Sequence, residues 1–222
     1  MGRSKLAKFA AIGERENVIE PGDELYGQMK GNWRTLQFQN SNPVVLEVGC
    51  GRGEYTVGMA RLFPEKNFIG SDIKGARLWK GSTMAEEEEL DNVAFLRTFI
   101  EQLEDNFAPQ EVDEIWVTFP DPRPRDRDIK RRLTSPRFLE LYRKVLKQDG
   151  ILHLKTDNLP LYEYTLEVLH ERKAYIRDLL FTSDLYHSDL QQHTMGIYTT
   201  YEKRYIAEGV PIKYLQFRFN EI

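Results

Sequence analysis

The chain has 222 residues, of which 41% are hydrophobic, 12% aromatic and 30% charged, figures of one globular domain that exclude a disordered or collagen-like chain. No run approaches the ~20 apolar residues of a membrane span and the first residues lack the apolar stretch of a secretory leader, so no membrane partner and a cytoplasmic location are expected. A single cysteine, Cys50, excludes an internal disulfide, four histidines without zinc-ligand spacing predict no metal, and a net charge of −4 means that any contact with nucleic acid must be local.

In chain order, residues 1–40 are polar and irregular, with Arg3, Lys5, Lys8, Lys30 and Arg34, and read as an N-terminal arm or cap before a domain over 41–222. Short apolar runs bounded by Gly, Pro, Asn or Asp predict strands at 44–48, 67–72, 93–96, 114–119 and 151–156. Amphipathic runs predict helices at 54–63, 75–90, 100–107, 136–147 and 161–172. The alternation is that of an α/β domain around a mostly parallel sheet. Beyond residue 173 the pattern changes: 174–181, 199–205 and 212–219 are rich in Tyr, Ile and Phe, with a turn at Glu208-Gly209-Val210-Pro211, which predicts an antiparallel strand pair closing the sheet. Alternate tyrosines at 198, 201 and 205 read as core. The glutamate run 86–89 reads as a solvated helix face.

The first strand runs into Gly49-Cys50-Gly51-Arg52-Gly53-Glu54. Glycines Gly49, Gly51 and Gly53 suit a backbone that turns with positive φ or lies against a ligand, at the end of a strand where α/β folds bind cofactors. A dinucleotide fingerprint needs glycine at position 54, which is Glu54. With Glu47 two residues before the first glycine, the run is similar to the E-x-G-x-G-x-G of S-adenosylmethionine-dependent methyltransferases, whose cofactor has no pyrophosphate but carries an ammonium group that a carboxylate can hold. Asp72, ending the second strand, has two oxygens that match a ribose diol.

Prolines on both sides of Asp121, in Phe119-Pro120-Asp121-Pro122, fix a carboxylate at the end of the fourth strand, where it can accept from the N–H groups of a purine edge and offset positive charge on the base. Arg123, Arg125, Arg127, Lys130, Arg131, Arg132 and Arg137 follow, seven cations in fifteen residues of an otherwise acidic chain. Beside that turn they read as contacts to a phosphate backbone.

Together, Leu46-Glu47-Val48-Gly49-x-Gly51-x-Gly53-Glu54, Phe119-Pro120-Asp121-Pro122, Lys130-Arg131-Arg132-Leu133, Leu152-His153-Leu154-Lys155-Thr156-Asp157 and Thr199-x-Tyr201-Glu202-Lys203-Arg204 make residues 40–219 resemble the bacterial tRNA (guanine-N7)-methyltransferase family. The resemblance implies a Rossmann-like class I methyltransferase fold with a seven-stranded, mostly parallel sheet, and methylation of a guanine in the tRNA variable loop to 7-methylguanosine. It implies S-adenosyl-L-methionine as cofactor, held by Glu47, Asp72 and Asp121 around the three glycines, and tRNA as partner. Asp121 is the expected catalytic residue. Arg125, Asp157, Thr199 and Glu202 are the expected guanine or RNA contacts, with Arg127, Lys130, Arg131 and Arg132 along the RNA. A monomer or homodimer is expected. Three positions depart from the family pattern: Arg123 stands where Trp is common, Arg125 where Lys is usual, and Phe99 where an Asp or Asn faces the adenine. Two other readings compete, an exocyclic-amino RNA methyltransferase and an NAD-binding oxidoreductase.

Overall fold

The computed structural model describes residue 7 and residues 12–220. Its eight strands are β1 (Val18–Ile19), β2 (Val44–Val48), β3 (Asn67–Ser71), β4 (Val93–Leu96), β5 (Val112–Thr118), β6 (Leu146–Thr156), β7 (Ile176–Thr182) and β8 (Lys213–Phe219), in the order β1-β4-β3-β2-β5-β6-β8-β7. Pairings from β1 through β6 are parallel, and β8 lies antiparallel between β6 and β7. The seven expected strands are β2 to β8. The two-residue β1 comes from the polar N-terminal segment and extends the edge beside β4.

Pleating sends Val44, Leu46 and Val48 to one face of β2, into a core with Trp33, Phe138, Tyr142 and Leu169. Val45 goes to the other, with Tyr55, Val57, Leu78 and Trp116. Helices α1 (Glu54–Leu62) and α2 (Gly75–Glu87) cover this second face, while α3 (Leu103–Asn106), α4 (Pro136–Val145) and α5 (Leu159–Glu171) cover the first. Pro136 opens α4, and the Asn158 side chain caps α5 by accepting from Leu161 N–H at 2.8 Å.

Two expectations are corrected. Residues 199–205 belong to a helix, α6 (Thr200–Ala207), started by a reciprocal capping box: Thr199 Oγ1 accepts from Glu202 N–H and the Glu202 carboxylate from Thr199 N–H. Helical winding removes the alternation that a strand would impose. Tyr201, in the first turn of this helix, and Tyr198, just before it, are not core but 47% and 40% exposed. No helix among the described residues is long and apolar enough to cross a membrane, and none of their His, Cys, Asp or Glu side chains cluster as a metal site.

Candidate active site

The order β3-β2-β5-β6 sets four loops side by side at the carboxyl ends of the strands: Asp72 after β3, the glycine loop after β2, Asp121 after β5 and Asp157 after β6. The crossover direction reverses at β2, where such sheets open a crevice.

Gly49, Gly51 and Gly53 all have φ between 58° and 72°, in the left-handed region. A Cβ on Gly53 would come within 2.5 Å of the Phe95 ring, so that glycine is demanded by packing, whereas one on Gly51 would meet nothing within 4 Å. The space beside Gly51 is open. Asp72, buried, borders it: its carboxylate accepts from Gly51 N–H at 3.1 Å and Lys74 N–H at 2.8 Å, leaving lone pairs for further donors.

Glu47 shares the face of β2 covered by α1, and only 1% of it is exposed. One oxygen accepts from the N–H and hydroxyl of Thr56 in α1, the other from the hydroxyl of Thr118 at the end of β5. Burial raises its carboxyl to about 7, against the opposing pull of these bonds and of Lys155. As placed, Glu47 ties the glycine-loop helix to the strand that carries Asp121 and lies behind the cradle. Cys50, also buried, has its thiol pushed up by that burial.

Asp121 stands out from the opposite wall, its side chain 62% exposed. It accepts from Arg123 N–H at 3.2 Å and faces Arg123 Nε at 3.2 Å. Two residues flanking its turn, Phe119 and Arg123, both have φ of 47°, an uncommon conformation for side chains of this size. Each is held from outside: Phe119 N–H donates to Lys155 O at 2.8 Å, and the Arg132 guanidinium donates to the carbonyls of Pro122 and Arg123 at 3.2–3.3 Å.

Arg132 is accordingly no surface cation. It is 9% exposed and its guanidinium lies 4.4 Å from the centre of the Tyr164 ring. Arg125, Arg127, Lys130, Arg131 and Arg137 are exposed in the stretch that follows the Asp121 turn. Arg125 and Arg131 are aimed by the buried Asp128, at 2.9 and 3.3 Å. Replacing Arg127 and Lys130 by alanine is expected to flatten the salt dependence of binding to a phosphate backbone, by ~1 in log–log slope for each phosphate no longer neutralised. Arg132→Ala is expected to lower turnover and leave that slope unchanged. Filter binding over a salt series separates the two, and an Arg132→Ala slope as flat as that of the double variant would assign Arg132 to the phosphate backbone instead.

Asp157 is half-buried, and desolvation raises its carboxyl, against its own backbone amide and Lys213. Tyr201, its neighbour, meets the Phe119 ring edge-on at 5.5 Å and joins this wall to the Asp121 turn. Glu202 is fully buried. It pairs with Lys155 at 2.8 Å and accepts from the Tyr186 hydroxyl, so the described conformation turns it inward while Thr199 serves as the cap. The structure thus gathers the loops carrying Gly49, Gly51, Gly53, Asp72, Asp121 and Asp157 at one end of the sheet, leaves Arg125, Arg127, Lys130 and Arg131 exposed just after the Asp121 turn, and buries Glu47, Arg132 and Glu202. Lys155 and Asp128 escaped the reading of single residues. A lysine inside an apolar strand and an aspartate amid arginines were the available signals.

The family model described as "Putative methyltransferase" matches residues 41–215. A tRNA (guanine-N(7)-)-methyltransferase of Cytophaga hutchinsonii is 52% identical over 219 residues, covering 99% of each chain. One of Christiangramia forsetii is 48% identical, over 97% of this chain and 98% of its own. Among solved structures, the 16S rRNA methyltransferase KamB superposes with a TM-score of 0.63 at 19% identity, covering 86% of this chain and 94% of that one, a likeness of fold. With the glycine loop, the proline-bounded aspartate and near-complete coverage all in agreement, the chain belongs to the tRNA (guanine-N(7)-)-methyltransferase family.

Proposed function

We propose that the chain transfers a methyl group from S-adenosyl-L-methionine to N7 of a guanine in the variable loop of cytoplasmic tRNA. The observation that carries this reading is the crevice itself: a glycine cradle with Asp72 on one wall, Asp121 and Asp157 on the other, and an exposed cationic stretch just after the Asp121 turn. Gly51 and Asp72 would hold the cofactor, whose sulfonium supplies an electrophilic methyl carbon.

What the protein must add is placement. Guanine N7 carries a free lone pair at neutral pH, so no side chain has to remove a proton before attack. In-line transfer instead requires the nitrogen to be held ~3 to 3.5 Å from the methyl carbon. Asp121 and Asp157 can accept from the donor edge of the guanine, and their charge opposes the positive charge that grows on the ring, an interaction stronger in the transition state than in the ground state. Arg123, now against Asp121, swings aside or caps the outer oxygen when a base arrives. The exposed cations after the Asp121 turn hold phosphates and bring an accessible loop base to the crevice.

The test is incubation of the purified chain with methyl-labelled cofactor and unmodified tRNA, followed by nucleoside mass spectrometry to identify the methylated base and chemical cleavage at 7-methylguanosine to place it in the sequence. The expected product is 7-methylguanosine. Label on an exocyclic amino group, or label only outside the variable loop, would refute the assignment.

A further inference from the structure

Residues 197–202, which lead into α6, are held against the cofactor side of the molecule at three points. Ile197 sits over Gly58 of α1, where a Cβ would come within 2.7 Å of Ile197 Cγ2, so glycine there is the notch that lets the segment lie on the helix. The Ile197 carbonyl accepts from Lys155 Nζ at 3.4 Å, and the same ammonium pairs with Glu202. The third point is Glu54, the first residue of α1 and the one directly after Gly53.

The side chain of Glu54 reaches an element 146 residues away. One oxygen accepts from the Thr200 backbone N–H at 2.5 Å, and the other from both the Thr200 hydroxyl at 3.1 Å and Lys80 Nζ at 3.0 Å. Against the burial that would raise it, these donors hold its carboxyl below the ordinary range. A dinucleotide cradle would have glycine at this position. Here the carboxylate spans the gap between the glycine loop and α6.

We infer that Glu54 is a positioning residue which, through Thr200, fastens the start of α6 to the glycine loop, so that cofactor and tRNA bind cooperatively. The inference rests on the function proposed above. A cofactor settling beside Gly51 immobilises residues 49–53. The first turn of α1 continues that loop, and Glu54 passes the immobilisation to Thr199, Thr200 and Tyr201, on the wall that would receive the guanine. Each ligand then meets a surface partly ordered by the other, and by linkage the gain is reciprocal.

The experiment measures the affinity of unmodified tRNA transcript with and without saturating S-adenosylhomocysteine. Thr200→Pro is the sharpest variant. Thr200 is the first residue of α6, where the N–H has no partner inside the helix and proline is tolerated, and Thr199 before it already has ψ of 158°. The substitution removes both donors to Glu54 and keeps the helix. The wild-type chain is expected to bind tRNA about tenfold tighter with S-adenosylhomocysteine present. Glu54→Ala and Thr200→Pro are expected to cut that gain below about twofold, with S-adenosylhomocysteine affinity itself within about threefold of wild type, and the double variant to lose nothing further. Glu54→Gln, which keeps an acceptor oxygen, should retain part of the gain. A wild-type chain that binds neither ligand would refute the function, whereas one that binds both independently, or variants that keep the full gain, would overturn the latch alone.

Discussion

Asp121→Ala is expected to lower kcat for methyl incorporation into tRNA by about 10²- to 10³-fold, the range measured when one preorganised group facing a charged transition state is removed. Its melting temperature should scarcely move. The carboxylate is mostly exposed, and among the described residues its hydrogen bond and ion pair are to Arg123, an arrangement worth ~0 to 1 kcal/mol at a surface. The turn keeps its shape without the bond from Arg123 N–H to the Asp121 carboxylate because Lys155 and Arg132 also hold it, through its own backbone groups. Asp121→Asn divides the effect further: it retains an acceptor oxygen and loses the charge, so its rate should fall between those of wild type and alanine. Single-turnover assays at saturating tRNA and cofactor provide the measurement. Turnover within about threefold of wild type for the alanine variant would remove Asp121 from the chemistry.

The largest loss of stability is expected at Lys155. Both Lys155 and Glu202 have side chains at 0% exposure, paired at 2.8 Å, and the ammonium also lies 4.8 Å from the centre of the Tyr55 ring. Burial lowers the Lys155 ammonium pKa, and the Glu202 carboxylate opposes that shift. Lys155→Met leaves the carboxylate buried without its cation, at a cost of about 3 to 5 kcal/mol. For a chain of this length that corresponds to a melting temperature lower by roughly 10 °C. Glu202→Gln removes the charge and keeps the capping box, so the double variant Lys155→Met with Glu202→Gln should regain more than half of the loss. Calorimetry of the four proteins decides it. If the double variant is as unstable as Lys155→Met, the damage comes from poorer packing around the lysine stem rather than from the stranded charge.

The parallel half of the sheet was legible because Val44–Val48 and Val93–Leu96 are apolar runs ended by turn residues, and each is buried in full. The glycine loop after β2 and the proline-bounded turn after β5 were legible because each is a local signal at the end of an apolar strand. Long-range consequences were not. Thr199 and Glu202 spell a capping box three residues apart, yet the surrounding tyrosines suggested a strand. Composition could not distinguish Arg132 from its six neighbours, since only the fold turns one guanidinium inward to two carbonyls. β6 begins five residues before the expected start because Leu146 and Ile151 pair with Val112 and Glu114, two residues apart, across an irregularity that no periodicity reveals. Likewise Val18 and Ile19 form a strand inside a polar stretch because β4 offers them an open edge.

The placement of β8 between β6 and β7 bears on how the protein is made. A chain leaving the ribosome exposes β7 well before residues 213–219, and among the described residues β8 is the strand beside it. Until then neither edge of β7 is paired, and in the finished sheet β8 covers one of them while Leu180 and Phe181 stay 41% and 54% exposed on the outermost strand. Synthesis therefore passes through an interval in which most of the parallel sheet can already exist while both edges of this ribbon are open to other nascent chains, and the antiparallel insertion closes one of the two.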